Sequence, residues 1–193
     1  MDSDFMFVEN YADDDLYDYI KGIIISEERI SDPHLIRRPY IRVYGKDCRQ
    51  NRDVGFFSNV SLGYKYSNQI MKSQVLTEEL ESLLNKVNNE YNTEFNGILI
   101  NHYVDGGDYI GKHRDDERGL DPNNSSVVSI SLGAVRKFRI RDNNNKIVQD
   151  VLTSHRSLMM MKNNFQKKYT HEIPIERKVK GERYSITFRH HKE

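Results

Sequence analysis

The change of hydrophobic period at Gly97 constrains this chain more than any other feature. Upstream, TEELESLLNKVNNEYN (77–92) places Leu80, Leu83, Leu84, Val87 and Tyr91 at spacings of three and four behind Thr77. That pattern predicts an amphipathic helix with a threonine cap. Downstream the period drops to two. GILINHYV (97–104), SVVSISLG (126–133), VRKFRIRD (135–142), KIVQDVL (146–152), HRSLMMMK (155–162) and ERYSITFR (182–189) all read as strands. Asp142–Asn145 supplies a hairpin turn between two of them. Short strands with turn signals, preceded by a helix, predict an α+β, mainly β chain, an antiparallel jelly-roll or sandwich with helical support.

The N-terminal half is less regular. YADDDLYDYIKGII (11–24) predicts a short helix with Leu16, Tyr19, Ile20 and Ile23 inward, and Pro33 and Pro39 forbid helix beyond it. PYIRVYGKDCRQNRDVGFF then reads as an extended hairpin arm with its turn near Gly45. Charge is segregated although the net charge is zero. Nine acids stand against Lys21 in residues 1–28, seven basic residues against two acids in 29–52, and a further basic cluster spans Arg177 to Lys192. The basic strips are candidate phosphate-facing surfaces. A single cysteine, Cys48, suits a reducing compartment. The acidic N-terminus lacks the basic and apolar regions of a signal peptide, and no apolar run approaches the ~18 residues of a membrane span. The expectation is a soluble, intracellular protein with no membrane association. At 193 residues it forms one domain, divided into an acidic extension (1–36), a lid and supporting helix (37–96) and a β core (97–193).

Two local patterns carry chemistry. IGKHRDDERG (110–119) sets His113 and Asp115 two apart in a loop after a strand. Two imidazoles and one carboxylate on one face suit iron(II) that must keep positions open for a co-substrate and O₂. The third ligand has to come from elsewhere, and His102, His155 and His171 lie nearest the predicted strands. In RYSITFR (183–189), Arg183, Ser185, Thr187 and Arg189 share one strand face and Tyr184, Ile186 and Phe188 the other. Guanidiniums and hydroxyls on one face suit a dianion. Six residues of strand span roughly 20 Å, however, so Arg183 is the safer partner for a small dicarboxylate.

Taken together, NHY (101–103), HRDDE (113–117), the SVVSISLG strand, His171 and RYSITFR occur in the order of the AlkB family of iron(II)- and 2-oxoglutarate-dependent nucleic-acid demethylases, which the chain resembles from about residue 37 to 190. The resemblance implies a double-stranded β-helix (jelly-roll) core with supporting helices and an N-terminal nucleotide-recognition lid. It implies Fe(2+), 2-oxoglutarate and O₂ as cofactors and co-substrates. By position, His113, Asp115 and His171 would hold the iron. Asn101, Tyr103 and Arg183 would bind 2-oxoglutarate, with Ser185, Thr187 and Arg189 completing the pocket. Ser185 departs from the family, which usually has asparagine there.

RVYGK (42–46) resembles the finger loop of the branch acting on double-stranded DNA, with Tyr44 as the wedge beside Gly45 and Lys46. GYKYS (63–67) resembles the segment that closes over a flipped base and implicates Tyr64, Lys65 and Tyr66. Asp116 and Glu117 would shape the base pocket, and Lys46, Arg49 and Arg52 would contact phosphates. The implied activity is oxidative demethylation of N1-methyladenine and N3-methylcytosine in DNA by a monomer. The same residues also suit methylated RNA, another 2-oxoglutarate oxygenase substrate, or a non-catalytic nucleic-acid-binding module with a relic metal site.

Overall fold

Each strand offers two faces, and the central strands of this chain bury both. The computed structural model describes residues 3–25, 35–43, 46–61, 63–66, 69–117, 119–121, 124–162 and 164–192. The first half contains β1 (Phe5–Val8), α1 (Asp14–Ile25), β2 (Tyr40–Val43), β3 (Lys46–Arg49), β4 (Asp53–Phe57), β5 (Gly63–Tyr66), β6 (Gln69–Lys72) and α2 (Glu78–Tyr91). The second contains β7 (Gly97–Tyr103), β8 (Ile110–His113), β9 (Val127–Gly133), β10 (Arg136–Asp142), β11 (Ile147–Thr153), β12 (Ser157–Met161), α3 (Phe165–Lys168), β13 (Tyr169–Ile173) and β14 (Arg183–Arg189). A six-stranded sheet runs β1-β12-β9-β14-β7-β4 and faces a four-stranded sheet, β11-β10-β13-β8. Pairing within both is antiparallel, giving the jelly-roll. Hairpins β2-β3 and β5-β6 stand apart from them.

The even-numbered residues of the central strands form the larger core. Ile98, Ile100, Val128, Ile130, Leu158, Ile186 and Phe188 pack against Ile20 of α1 and Leu80, Leu84 and Val87 of α2. Both helices follow from their sequence. Thr77 caps α2 by accepting the Leu80 N–H at 3.2 Å, and Asn92 ends it in the left-handed conformation at φ 51°. The odd-numbered residues face the other way, toward Phe138, Ile140, Val151 and Ile173 of the smaller sheet. There the wall changes character, because Asn101, Ser129, Ser131 and the RYSITFR face are polar.

Several elements differ from the expected ones. FMFV does not alternate, yet β1 pairs in register with β12, and Asp4 accepts from Lys168 at 2.6 Å. Part of the acidic stretch is thereby sewn to the sheet. β8 and β13 are too short to show a period; instead of lying in a loop, His113 ends a strand. β14 lies between β9 and β7 with all seven residues buried. Among the described residues no helix is long and apolar enough to cross a membrane.

Leu80 is fully buried and Leu83 only partly so, although they sit three apart on one helix. Leu80→Ala should therefore cost about 2–5 kcal/mol in urea unfolding, and Leu83→Ala clearly less. Equal losses would contradict this placement of α2.

Candidate active site

The pairing of β8 with β13 sets His171 directly opposite His113. Their rings are 4.3 Å apart by centroid, and Asp115 follows two residues after the end of β8. His171 Nε2 lies 3.5 Å from one Asp115 carboxylate oxygen, and His113 Nε2 lies 3.9 Å from the other. One ligand atom from each residue falls within 4.8 Å of the others. The other two candidate histidines lie elsewhere. His102, on the opposite sheet face from Asn101 and Tyr103, stacks on Tyr184 between Asp53 and Glu182. His155 meets Asp14 at 3.1 Å.

Electrostatics favour a cation among these three residues. Burial pushes the His171 imidazole down to about 3, and the neighbouring His113 adds to this. Burial likewise lowers His113, against opposition from Asp115 and from its hydrogen bond to the Gly111 carbonyl. For Asp115, burial acts upward, but Arg189, then His171 and His113, hold the carboxyl below its usual range. The set is thus two neutral imidazoles and one carboxylate, which is the donor set a divalent iron takes. His113 donates from Nδ1 to the Gly111 carbonyl at 2.8 Å, which leaves its Nε2 lone pair facing Asp115. The Nδ1 of His171 is buried with no hydrogen-bond partner. Arg189 donates to Asp115 Oδ1, Gln166 of α3 accepts the Asp115 N–H at 3.0 Å, and Phe138 stacks on His171 at 5.0 Å. These residues fit an iron(II) ion.

The three residues help line a narrow cavity that opens to solvent and is also lined by Asn101, Tyr103, Ser129, Arg183, Ser185 and Thr187 among others. Arg183 is 1% exposed, donates from Nη2 to Ser131 at 2.8 Å and lies over the Tyr103 ring. Its Nε and Nη1 are buried without a hydrogen-bond partner. Arg136, which also lies over the Tyr103 ring and is equally buried, is different. It donates to Glu176 and to the Asp105, Asp108 and Pro174 carbonyls, so its role in the fold is complete. Arg183 has charge and donors to spare, and a carboxylate suits both. Ser185 bonds Ser129 at 2.8 Å, with Thr187 3.4 Å from each. Arg189, at the far end of β14, reaches Asp115 instead of the Arg183 end of the cavity.

The residues expected to touch nucleic acid are placed unevenly. Tyr44 and Gly45 lie outside the described residues. Tyr64, Lys65 and Tyr66 form β5 with Gly63, but their side chains lie outside the described portion. Lys46, Arg49 and Asp116 are exposed, and Glu117 lines the cavity. Arg52, expected among phosphate contacts, is 8% exposed and turned into the cavity, where Nε donates to Asn101 Oδ1 at 2.7 Å. Its position just before an edge strand lets its long side chain fold inward, away from the exposed strip. Sequence reading also passed over Ser129, Ser131, Phe138 and Gln166. The alternation of SVVSISLG already put both serines on one face; nothing local marks the other two.

A jelly-roll holding two histidines, an aspartate and an unpaired buried arginine in one cavity defines a non-haem iron oxygenase of the 2-oxo-acid type. Residues 25–189 match the 2OG-Fe(II) oxygenase superfamily, and the chain belongs to it. The cofactors of that superfamily are Fe(2+), 2-oxoglutarate and O₂. The chain is 34% identical over 157 residues to DNA oxidative demethylase ALKBH2 of Homo sapiens, covering 77% of this chain and 60% of that protein. It is 26% identical over 181 residues to DNA oxidative demethylase ALKBH2 of Arabidopsis thaliana, covering 79% and 57%. The chain thus spans about three fifths of the length of these relatives. In fold it is similar to the solved structure of OsALKBH1, with a TM-score of 0.64 and 15% identity over 96% of this chain and 97% of that one.

The depressed imidazoles have a consequence for stability. The unfolded chain binds protons near the ordinary histidine value of about 6.5, whereas folded His171 and His191 bind them only near 3. Between these values the unfolded state holds more protons, so stability falls as pH is lowered through that window. Urea unfolding of metal-free protein should show this decline from pH 7 to 5. His171→Gln should make the decline shallower, and an unchanged slope would refute the neutral, buried state of His171.

Proposed function

We propose that this chain is an iron(II)- and 2-oxoglutarate-dependent oxidative demethylase of N-alkylated bases in DNA. Its substrates would be N1-methyladenine and N3-methylcytosine, met in double-stranded DNA by a monomer. The observation that carries this reading is the pair of sites in one cavity: the His113, Asp115 and His171 cluster, and Arg183 with unpartnered buried donors. The DNA substrate rests on similarity to DNA oxidative demethylases over 77% of the chain.

Each residue's task follows from its chemistry. His113, Asp115 and His171 would hold the metal. Arg183 neutralises the distal carboxylate of 2-oxoglutarate, with Ser131 and the Tyr103 ring fixing its plane. Asn101 and Tyr103 bond the co-substrate, while Ser185 and Thr187 line its slot. Arg189 keeps Asp115 ionised and oriented. Iron with 2-oxoglutarate and O₂ supplies the oxidation that hydroxylates the N-methyl group, whose product releases formaldehyde. The apolar side of the cavity, Ile110, Phe138, Met159 and Ile173, limits water around the reacting carbon.

The methyl groups of these lesions block the Watson–Crick edge, so weakened pairing makes flipping cheaper. Tyr44 would fill the vacated stack, and Tyr64 and Tyr66 would close over the flipped base. Gly45, Lys46 and Lys65 belong to the same two segments, and Asp116 and Glu117 flank the base pocket.

Purified protein with iron(II), ascorbate and 2-oxoglutarate should release formaldehyde and succinate from duplex DNA carrying one N1-methyladenine. Single-stranded DNA and RNA of the same sequence serve as comparisons. His113→Ala should abolish turnover while leaving oligonucleotide binding in place. Arg183→Met should raise the KM for 2-oxoglutarate by roughly 10-fold or more, as loss of a charge-assisted bond predicts. Succinate without formaldehyde on every oligonucleotide would refute the DNA substrate. Absence of succinate from iron-loaded protein would refute the enzyme.

A further inference from the structure

Outside the sheets, a groove runs between α1 and α2. Contacts at its two ends show that the helices are antiparallel. Tyr19 of α1 bonds Thr77 at the start of α2. Tyr11, just before α1, donates to Glu90 at 2.9 Å and packs its ring against Tyr91, both at the end of α2. Ile20, Leu80, Leu84 and Val87 turn inward to the core. Leu16, Tyr19 and Leu83, further round each helix, are only half-buried and form the groove's floor. The end beside Tyr11 is held in place, because the Tyr11 and Ala12 N–H groups both donate to the Arg156 carbonyl, at 2.8 and 3.1 Å. No residue of the groove lines the cavity of the His113, Asp115 and His171 cluster.

Charge in the groove is arranged by position. Asp13 and Asp15 stand toward the Tyr11 end, and Glu78 and Glu79 at the Tyr19 end. All four are exposed. Each pair belongs to the start of a helix, where acids suit the macrodipole, and Asp13 accepts the Leu16 N–H at 3.3 Å. Helix capping accounts for acids there, but it does not account for the apolar floor between them. Among the described residues no lysine or arginine lies within ion-pair distance of any of the four. Lys86, the one base in the groove, lies over the Tyr11 ring. An open apolar floor with acids at both ends complements a short amphipathic helix that is apolar on one face and basic at both ends. From Glu78 to Lys86 the groove runs about 12 Å, which two to three turns would fill.

We propose that this groove docks a basic amphipathic helix of a partner protein. Its apolar side chains at i and i+4 would lie on Leu16, Tyr19 and Leu83, and its lysines or arginines against the two acidic ends. Exposed ion pairs contribute little, so the floor supplies most of the affinity and the acids set the orientation. A partner seated there leaves the cavity lining untouched, and the proposal does not depend on the chemistry of the cavity.

Fluorescence anisotropy on the whole chain tests this with a fluorescein-labelled peptide of about three helical turns, carrying leucines four apart and a pair of lysines at each end. The peptide should bind saturably. A peptide of the same composition with its leucines scattered round the helix should bind about 10-fold more weakly or worse, and so should one with glutamates for lysines. Leu16→Gln and Leu83→Gln should each weaken the patterned peptide about 10-fold. Asp15→Asn and Glu78→Gln should each weaken it about two- to five-fold, an effect that added salt removes. These two exposed positions carry the test if a floor variant does not fold, as judged by its urea midpoint. Equal binding of patterned and scattered peptides would reduce the effect to general charge attraction and overturn the proposal. Absence of binding, or wild-type affinity in the folded variants, would overturn it too. Self-association in sedimentation that is lost in Leu16→Gln would give the groove to a second copy of this chain instead.

Discussion

The ion pair between Arg189 and Asp115 joins the last strand of the major sheet to the residue just beyond β8 of the minor one. Both side chains are nearly inaccessible, so each balances the other's buried charge. Losing Arg189 would leave Asp115 among two imidazoles with burial pushing its carboxyl upward. The carboxylate would then be held less firmly in its ionised form before a metal binds. The pair therefore supports the metal site and is also a clasp between the sheets. Gln166, which accepts the Asp115 N–H, adds a second restraint from α3.

β14 explains how one strand serves two ends. Its Tyr184, Ile186 and Phe188 face fills the helix-backed core, which holds the strand rigid. Its Arg183, Ser185, Thr187 and Arg189 face lines the cavity, so the polar groups are fixed by burial on the opposite side. Rigid elements hold a site more accurately than loops do. The distance along the strand is also used. Arg183 and Arg189 are too far apart to share a small dicarboxylate, and the structure gives them separate partners.

Much of this was legible in the sequence because alternation reports burial directly. The strands from Gly97 onward, helix α2 with its Thr77 cap, and the two faces of RYSITFR all followed from spacing. The His113 and Asp115 pair stood out locally. His171 did not, since its nearness to His113 depends on the register of two strands that are 58 residues apart in the chain. β1 was hidden because FMFV lacks alternation, and β8 because four residues show no period. The inward turn of Arg52 was hidden for a general reason. A basic residue in a basic strip carries no sign of which way its side chain folds.

Anaerobic titration of the metal-free protein with iron(II), with and without 2-oxoglutarate, tests the central claim most directly: one cavity holds both. The account predicts a single iron per chain, lost in His171→Ala, and 2-oxoglutarate binding that tightens when the metal is present. Iron binding that persists in His171→Ala, or 2-oxoglutarate affinity indifferent to the metal, would contradict it.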